Sequence, residues 1–256
     1  GDGQDTFKLV ERARAAGYET LVLTVDVPEV GRRPRELRHG FKMPFTIGPR
    51  QFIDFALHPR WSFSQLAAGA PEFKTMKPYI PDGLSMKHLG LFMNKTFSGR
   101  LHPEKIGAIR DRWKGKLVVK GVVNSEDAEK AISLGCDGII VSNHGGRQLD
   151  GALSSIRVLP SILDAVGDQV EVHLDSGIRS GQDVLKAMAM GAKGTYIGRA
   201  FIYGLGAMGQ AGVTRALEVI HKEFDTTMAL CGETHVGDLG RHNLLIPKDF
   251  EGNWQD

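Results

Sequence analysis

Residues 116–143 read KLVVKGVVNSEDAEKAISLGCDGIIVSN, and this stretch decides the fold. An apolar, β-branched run (Lys116 to Gly121) is followed by a segment of helical period (Ser125 to Leu134), a stopping glycine (Gly135) and a second apolar run (Gly138 to Asn143). Strand, helix and strand in so few residues form a βαβ unit, because a parallel partner can be reached only through a crossover. The same grammar extends outward. Val170 to Asp175 (VEVHLD) and Gly194 to Gly198 (GTYIG) are further strands, and Thr20 to Asp26 (TLVLTVD) is one upstream. Ser155 to Val166 and Gly181 to Met190 are the intervening helices, each ending near a glycine, Gly167 or Gly191. From Gly115 to Ile197 the units recur at spacings of roughly 22 to 33 residues, the rhythm of a parallel α/β barrel or a doubly wound sheet.

Composition narrows the function. The chain has 256 residues, 41% of them hydrophobic and 24% charged, enough for one large domain, here expected to span 1–256. Lys plus Arg number 32 against 30 for Asp plus Glu, so a net charge of +2 supplies no field for nucleic-acid binding. Cys136 and Cys231 form neither a disulfide framework nor metal-ligand spacing, which fits a reducing cytoplasm. No run approaches the length of a membrane span, and GDGQDTFKLV at the start has no secretory apolar region.

The strand ends carry the polar residues: Thr24 and Asp26, Lys120, Ser142 with Asn143 and His144, Asp175, then Gly198 and Arg199. In a barrel these ends share the face that bears the chemistry. The densest segment is SNHGGRQLDG, Ser142 to Gly151. A histidine before two glycines exposes its imidazole beside a backbone that a planar ligand can approach, so His144 is a candidate base. Arg147 can grip a carboxylate through its two-pronged guanidinium, and base plus clamp imply a small acid substrate. DSGIRSG (Asp175 to Gly181) and IGR (Ile197 to Arg199) end the last two strands, and their glycine amides and arginines fit a phosphate. Gly204, Gly206 and Gly209 spell G-x-G-x-x-G, but no strand follows the next helix (Val213 to Met228), so a Rossmann site is rejected. Histidine pairs with zinc spacing and a GxSxG elbow are both absent from the sequence.

The segments SNHGGRQLDG, LDSGIRSGQDVLKAMAMGA and IGRAFIYGL closely resemble the FMN-dependent α-hydroxy acid oxidase and dehydrogenase family, with members such as glycolate oxidase and L-lactate dehydrogenase. The resemblance runs from about Thr20 to Leu230, with TVDVPEVGRRPRE like the family's fourth strand and following loop and LVVKG like its fifth. It implies a (β/α)8 barrel, of which about five βα units are present, bound FMN, and oxidation of a small L-2-hydroxy acid with electrons passed to a quinone, a cytochrome or oxygen. Carried over by position, His144 resembles the active-site base, Asp26 the carboxylate that stabilises its imidazolium, and Arg147 and Arg33 the substrate-carboxylate ligands. Lys120 corresponds to the lysine beside the flavin N1 and O2 edge. Thr24 and Ser142 resemble polar flavin contacts, and Asp175, Ser176, Gly177, Ile178, Arg179, Gly198 and Arg199 match the segments around the ribityl chain and phosphate. Whether the base takes the hydroxyl or the Cα proton stays open. The family's two active-site tyrosines fall upstream of Gly1, and tetramers are common in the family.

Two features depart from the regular pattern. A long loop, 31–103, separates the first visible strand from the second, opening with GRRPRELRHGFK. Its 43–66 region holds Phe52, Ile53, Phe55, Leu57, Trp61, Phe63 and Leu66, which fit either a peripheral membrane contact or a lid or subunit-packing loop. LHPRW (Leu57 to Trp61) resembles the membrane-associated bacterial dehydrogenases of the family. The chain also opens with a helix, Thr6 to Ala16, feeding directly into a strand, and its first residue is not Met. A complete barrel would need strands before Gly1, so the expectation is a fragment without roughly the first three of eight units.

Overall fold

The structure, a computed structural model, describes residues 4–29, 31, 33–40, 47–69, 74–75, 77–79, 101–248 and 250. The chain divides into two compact units, Phe7–Gly31 with Gly99–Asp256 and Gly1–Thr6 with Arg32–Ser98.

The first unit is built on a parallel sheet of five strands: β1 (Thr20–Thr24), β2 (Lys116–Val122), β3 (Gly138–Val141), β4 (Glu171–Asp175) and β5 (Thr195–Tyr196). Their order in the sheet is their order in the chain. A doubly wound sheet reverses direction at a switch point, whereas strands added always on the same side make a barrel wall, so strand order decides between the two architectures left open by spacing. The fold is the (β/α) barrel type, with five of its strands among the described residues.

In chain order the described helices are α1 (Gln4–Ala15), α2 (Pro34–Arg38), α3 (Pro49–Leu57), α4 (Pro59–Ala68), α5 (Pro103–Arg112), α6 (Ser125–Ser133), α7 (Ser155–Val166), α8 (Gly181–Ala189), α9 (Arg199–Met208) and α10 (Gln210–Leu230). The sheet has two unlike faces because successive side chains alternate. Leu117, Val119, Ile139, Val141, Val172 and Leu174 are at most 2% exposed and join Ile109, Leu159 and Ile162 of the helices, and Trp113 just after α5, in one core. On the opposite face Val22 and Tyr196 are exposed, while Ile140 is buried.

Local signals explain the helix limits. The Asn124 side chain accepts from the Glu126 amide and caps α6, so the cap lies one residue before the serine that marks this start in the sequence. Ser180 caps α8 with a reciprocal capping box through Asp183. The rejected G-x-G-x-x-G belongs to helix packing. Gly204 lies inside α9, and a Cβ there would meet the Gly212 carbonyl oxygen at 2.3 Å, so its glycine lets α9 and α10 touch backbone to backbone. Gly209, at φ +60°, makes the turn between them.

The second unit contains α2, α3 and α4, so much of the described part of the long loop is helical. Residues 43–46 of the 43–66 region lie outside the described residues. Pro49 and Pro59 open α3 and α4, where a missing amide hydrogen costs nothing. The two helices meet at His58, whose Nδ1 lies 2.7 Å from the Asp54 carbonyl, and the Phe55 and Trp61 rings stack with centroids 5.5 Å apart. Neither helix has a buried residue, and Phe52, Ile53, Leu57, Phe63 and Leu66 are all exposed.

Candidate active site

Parallel register brings the polar strand ends of the first unit together. Thr24 pairs with Lys120 across β1 and β2, and the Val25 amide donates to the Lys120 carbonyl at 2.9 Å. Register shifts between Lys120 and Val122, where Gly121 adopts φ +105°. A Cβ on Gly121 would sit 2.5 Å from Asp26 Cγ, so the missing side chain is the space that Asp26 occupies.

The loop after β3 is a short 3-10 turn, His144–Gly146, with all three residues at positive φ. Glycine takes that conformation freely, but His144, at φ 56°, stores about 1–2 kcal/mol there. Two hydroxyls hold it. The His144 amide donates to Ser142 Oγ at 3.1 Å, and the Gly145 amide donates to Ser176 Oγ at 2.8 Å. Asn143 adds a cap, accepting from the Gly146 amide at 3.1 Å.

So held, His144 places Nδ1 3.2 Å from Asp26 Oδ1, although the residues lie on loops from non-adjacent strands. An ionised carboxylate only accepts, so the shared hydrogen sits on Nδ1 and the lone pair falls on Nε2. A ring oriented through Nδ1 with its Nε2 lone pair available is an arrangement that a general base can use. Asp26 Oδ2 is buried with no hydrogen-bond partner, leaving one acceptor of the pair unsatisfied.

Beside this pair stands a second cluster. Lys120 Nζ lies 2.7 Å from Asp175 Oδ2 and donates to Ser142 Oγ at 3.1 Å, and Ser142 donates to Asp175 at 2.6 Å. Burial pushes the Asp175 carboxyl up, but hydrogen bonds from Lys120 and Ser142, with the Lys120 charge, outweigh it and hold it below the usual carboxylate range. Ser142 is fully buried, its hydroxyl engaged with Lys120, Asp175, Ser176 and the His144 amide. These contacts organise the lysine and the histidine loop.

The segments expected around a phosphate are likewise adjacent, since Asp175 pairs with Tyr196 across β4 and β5. Gly177, at φ +84°, and Gly198 face open space where a Cβ would stand, and Gly198 precedes α9 with no side-chain cap on its first amides. Open glycine backbone and a helix start without a side-chain cap fit a phosphate group, and Lys120 fits a cation beside a planar acceptor. Arg179 is exposed, with its amide donating to Asp183 Oδ2 at 3.0 Å. Ile178 is buried in the core. Arg199 donates through Nη2 to the Gly145 carbonyl at 2.8 Å, so it straps the histidine loop in addition to lying at the start of α9. Arg147 ends the His144 turn and is half-buried. Arg33 belongs to the second unit, where its Nη1 lies 3.6 Å from Glu36 Oε2. Gly121, Gly31 and Gln148 shape this site without having been singled out by the sequence. All three lie in segments already marked, Gly121 in LVVKG, Gly31 in TVDVPEVGRRPRE and Gln148 in SNHGGRQLDG, but none was given a role there.

Residues 1–246 match the model of the FMN-dependent dehydrogenase family. The chain belongs to that family. It is 44% identical over 232 residues to an L-lactate dehydrogenase of Caulobacter vibrioides, covering 90% of this chain and 60% of that one. With an L-lactate dehydrogenase of Xanthobacter autotrophicus it shares 42% over 237 residues, 92% of this chain and 61% of the relative. Among solved structures, the monotopic membrane protein (S)-mandelate dehydrogenase superposes with a TM-score of 0.88 at 37% identity, covering 94% of this chain and 64% of that one. A mandelate oxidase in complex with 3,3-difluoro-2-hydroxy-3-phenylpropionic acid gives a TM-score of 0.69 at 36% identity, covering 94% and 59%. The chain thus spans about 60% of the length of the curated relatives it matches. The family's cofactor is FMN, as the resemblance implied.

Proposed function

We propose that the protein oxidises a small L-2-hydroxy acid, L-lactate first, to the 2-keto acid, and that a quinone or cytochrome finally receives the electrons. The observation that carries this reading is the Asp26–His144 pair at the strand-end face, beside Lys120 and the open glycines Gly177 and Gly198. FMN, when bound, supplies the two-electron acceptor. His144 Nε2 takes the substrate proton and Asp26 stabilises the resulting imidazolium. Arg147 and Arg33 bind the substrate carboxylate and fix which carbon faces the acceptor, a positioning effect. Lys120 supplies positive charge at the cofactor, and Asp175 with Ser142 holds its ammonium in place. Thr24, Ser176, Gly177, Ile178, Arg179, Gly198 and Arg199 complete the cofactor site in this reading.

The test is a visible spectrum of the chain with added FMN, before and after anaerobic L-lactate. Bleaching of a bound flavin band is expected. Bound flavin that never bleaches would make the chain an inactive flavin-binding fragment, and peroxide formed in air would make it an oxidase.

We also propose peripheral contact with the inner face of a membrane through 43–66, in an otherwise cytoplasmic homotetramer. Supporting it are the exposed apolar side chains of α3 and α4, the exposed cations Arg50 and Arg60 beside them, and the monotopic character of the mandelate dehydrogenase. Among the described residues, no helix is long and apolar enough to cross a membrane.

A further inference from the structure

The Asp26–His144 distance needs a physical cause, because β2 separates the strands that carry the two loops. Sheet register fixes Thr24 and Val141, but Asp26 and His144 both lie beyond the last ladder positions. Two contacts tie the loops directly. Gln148 Nε2 donates to the Asp26 carbonyl at 3.2 Å and to the Glu29 carbonyl at 3.0 Å. Gly31 lies so close to the other loop that a Cβ there would meet the Arg147 carbonyl oxygen at 2.6 Å and the Gln148 carbonyl oxygen at 2.7 Å.

We infer that Gln148 is a positioning residue that staples the loop after β1 to the loop after β3 and so sets the Asp26–His144 hydrogen bond. The inference rests on the proposed pairing of base and carboxylate. A planar amide suits the task, because it spans two backbone carbonyls that no side chain of the Asp26 loop needs to supply. It bonds to the carbonyl of Asp26 itself, so loss of the staple frees the residue whose carboxylate faces His144. The Asp26 carboxylate then has one bonded oxygen and one buried, unsatisfied oxygen to hold it in place. Nothing in that balance keeps Oδ1, rather than water, on the imidazole.

The experiment is proton NMR of the full chain, reading the downfield Nδ1–H line of an imidazole bonded to a carboxylate. His144→Gln and Asp26→Asn assign the line, since both should remove it. Gln148→Leu is expected to abolish it or broaden it beyond detection, with amide dispersion elsewhere unchanged. Leu149→Ala, at the exposed neighbouring position, should leave it intact. Gln148→Glu gives the same reading should the leucine variant fail to fold, because it keeps the size and removes both donors. A line that disappears in Asp26→Asn yet survives in Gln148→Leu and Gln148→Glu overturns the staple while sparing the pair. A line that is absent from the parent chain, or that survives in Asp26→Asn, overturns the pair and the staple with it.

Discussion

The two units use the same apolar vocabulary to opposite ends. In the sheet unit Ile139, Leu159 and Ile162 are fully buried, whereas in the helical unit Phe63 and Leu66 are 72% and 77% exposed. Leucine in the first unit is removed from water by a sheet face and its covering helices; in α3 and α4 it meets no such layer. The difference shows that hydrophobic periodicity states only that a face wants cover, and that topology decides whether the chain itself supplies it. The sheet unit consequently has a rigid strand-end face on which to hold a reaction, while the helical unit has a sticky surface.

The largest expected effect lies on the rigid side. His144→Gln keeps the size of the side chain and some hydrogen bonding but removes the base, and under the proposed reaction kcat falls by about 10³-fold. Bound FMN should be retained, because Gly177 and Gly198, proposed to hold its phosphate, lie on other loops. Steady-state turnover together with the flavin absorbance checks both halves, and an active variant would remove His144 from the mechanism.

A stability comparison comes next. Leu159→Ala deletes a fully buried side chain under the sheet and should cost about 2–5 kcal/mol, whereas Leu66→Ala should stay within about 0.5 kcal/mol. Urea unfolding of the two variants reads the contrast directly. Equal losses would mean that Leu66 is covered in solution and that the two units are less different than they look.

Lys120→Met sharpens the account of the strand-end cluster. It leaves Asp175 partly buried without its cation, at a cost of about 3 kcal/mol near neutral pH. The pH dependence follows from the lowered Asp175 pKa. A depressed folded value gives stability that is present above the unfolded pKa and lost as pH falls through the folded one. Without the lysine, burial pushes the carboxyl upward unopposed by that charge. Acid unfolding should therefore begin at higher pH in Lys120→Met than in the parent chain, as far-UV circular dichroism against pH would show.

Strand-helix alternation, the glycine stops and the strand-end chemistry were legible because each is a local pattern of the chain. LVVKG and GIIV had to be buried strands, and the polar residues following them had to gather on one face once the sheet was parallel. Strand order was not legible, since spacing alone admits both a barrel and a doubly wound sheet. Nor was the meaning of G-x-G-x-x-G, where Gly204 serves the contact with Gly212. The Asp26–His144 pair became readable only through family resemblance, because its members are 118 positions apart. Gln148, Gly31 and Gly121 stayed hidden for the same reason. Their roles are close approaches between loops, and no local periodicity encodes a close approach.

The smallest effect belongs to the helical unit and tests its exposed face. Each large apolar side chain that enters a bilayer interface contributes about 1 kcal/mol or more from buried area, so removing one should weaken partitioning several-fold without touching the fold. Phe63→Ser is the cleanest single change, because Phe63 is exposed and packs on no core, unlike Trp61, which stacks with Phe55. Arg50 and Arg60, at the first turns of α3 and α4, add attraction to anionic headgroups, worth about 1 kcal/mol each near the surface. Cosedimentation with vesicles containing phosphatidylserine should therefore fall several-fold in Phe63→Ser and also fall with added salt, while neutral vesicles bind less in every case. Leu149→Ala, an equally exposed apolar change in the sheet unit, should leave sedimentation unchanged. Equal loss in both variants would mean that binding follows exposed apolar area wherever it lies, and the contrast between the two units would then carry no functional division.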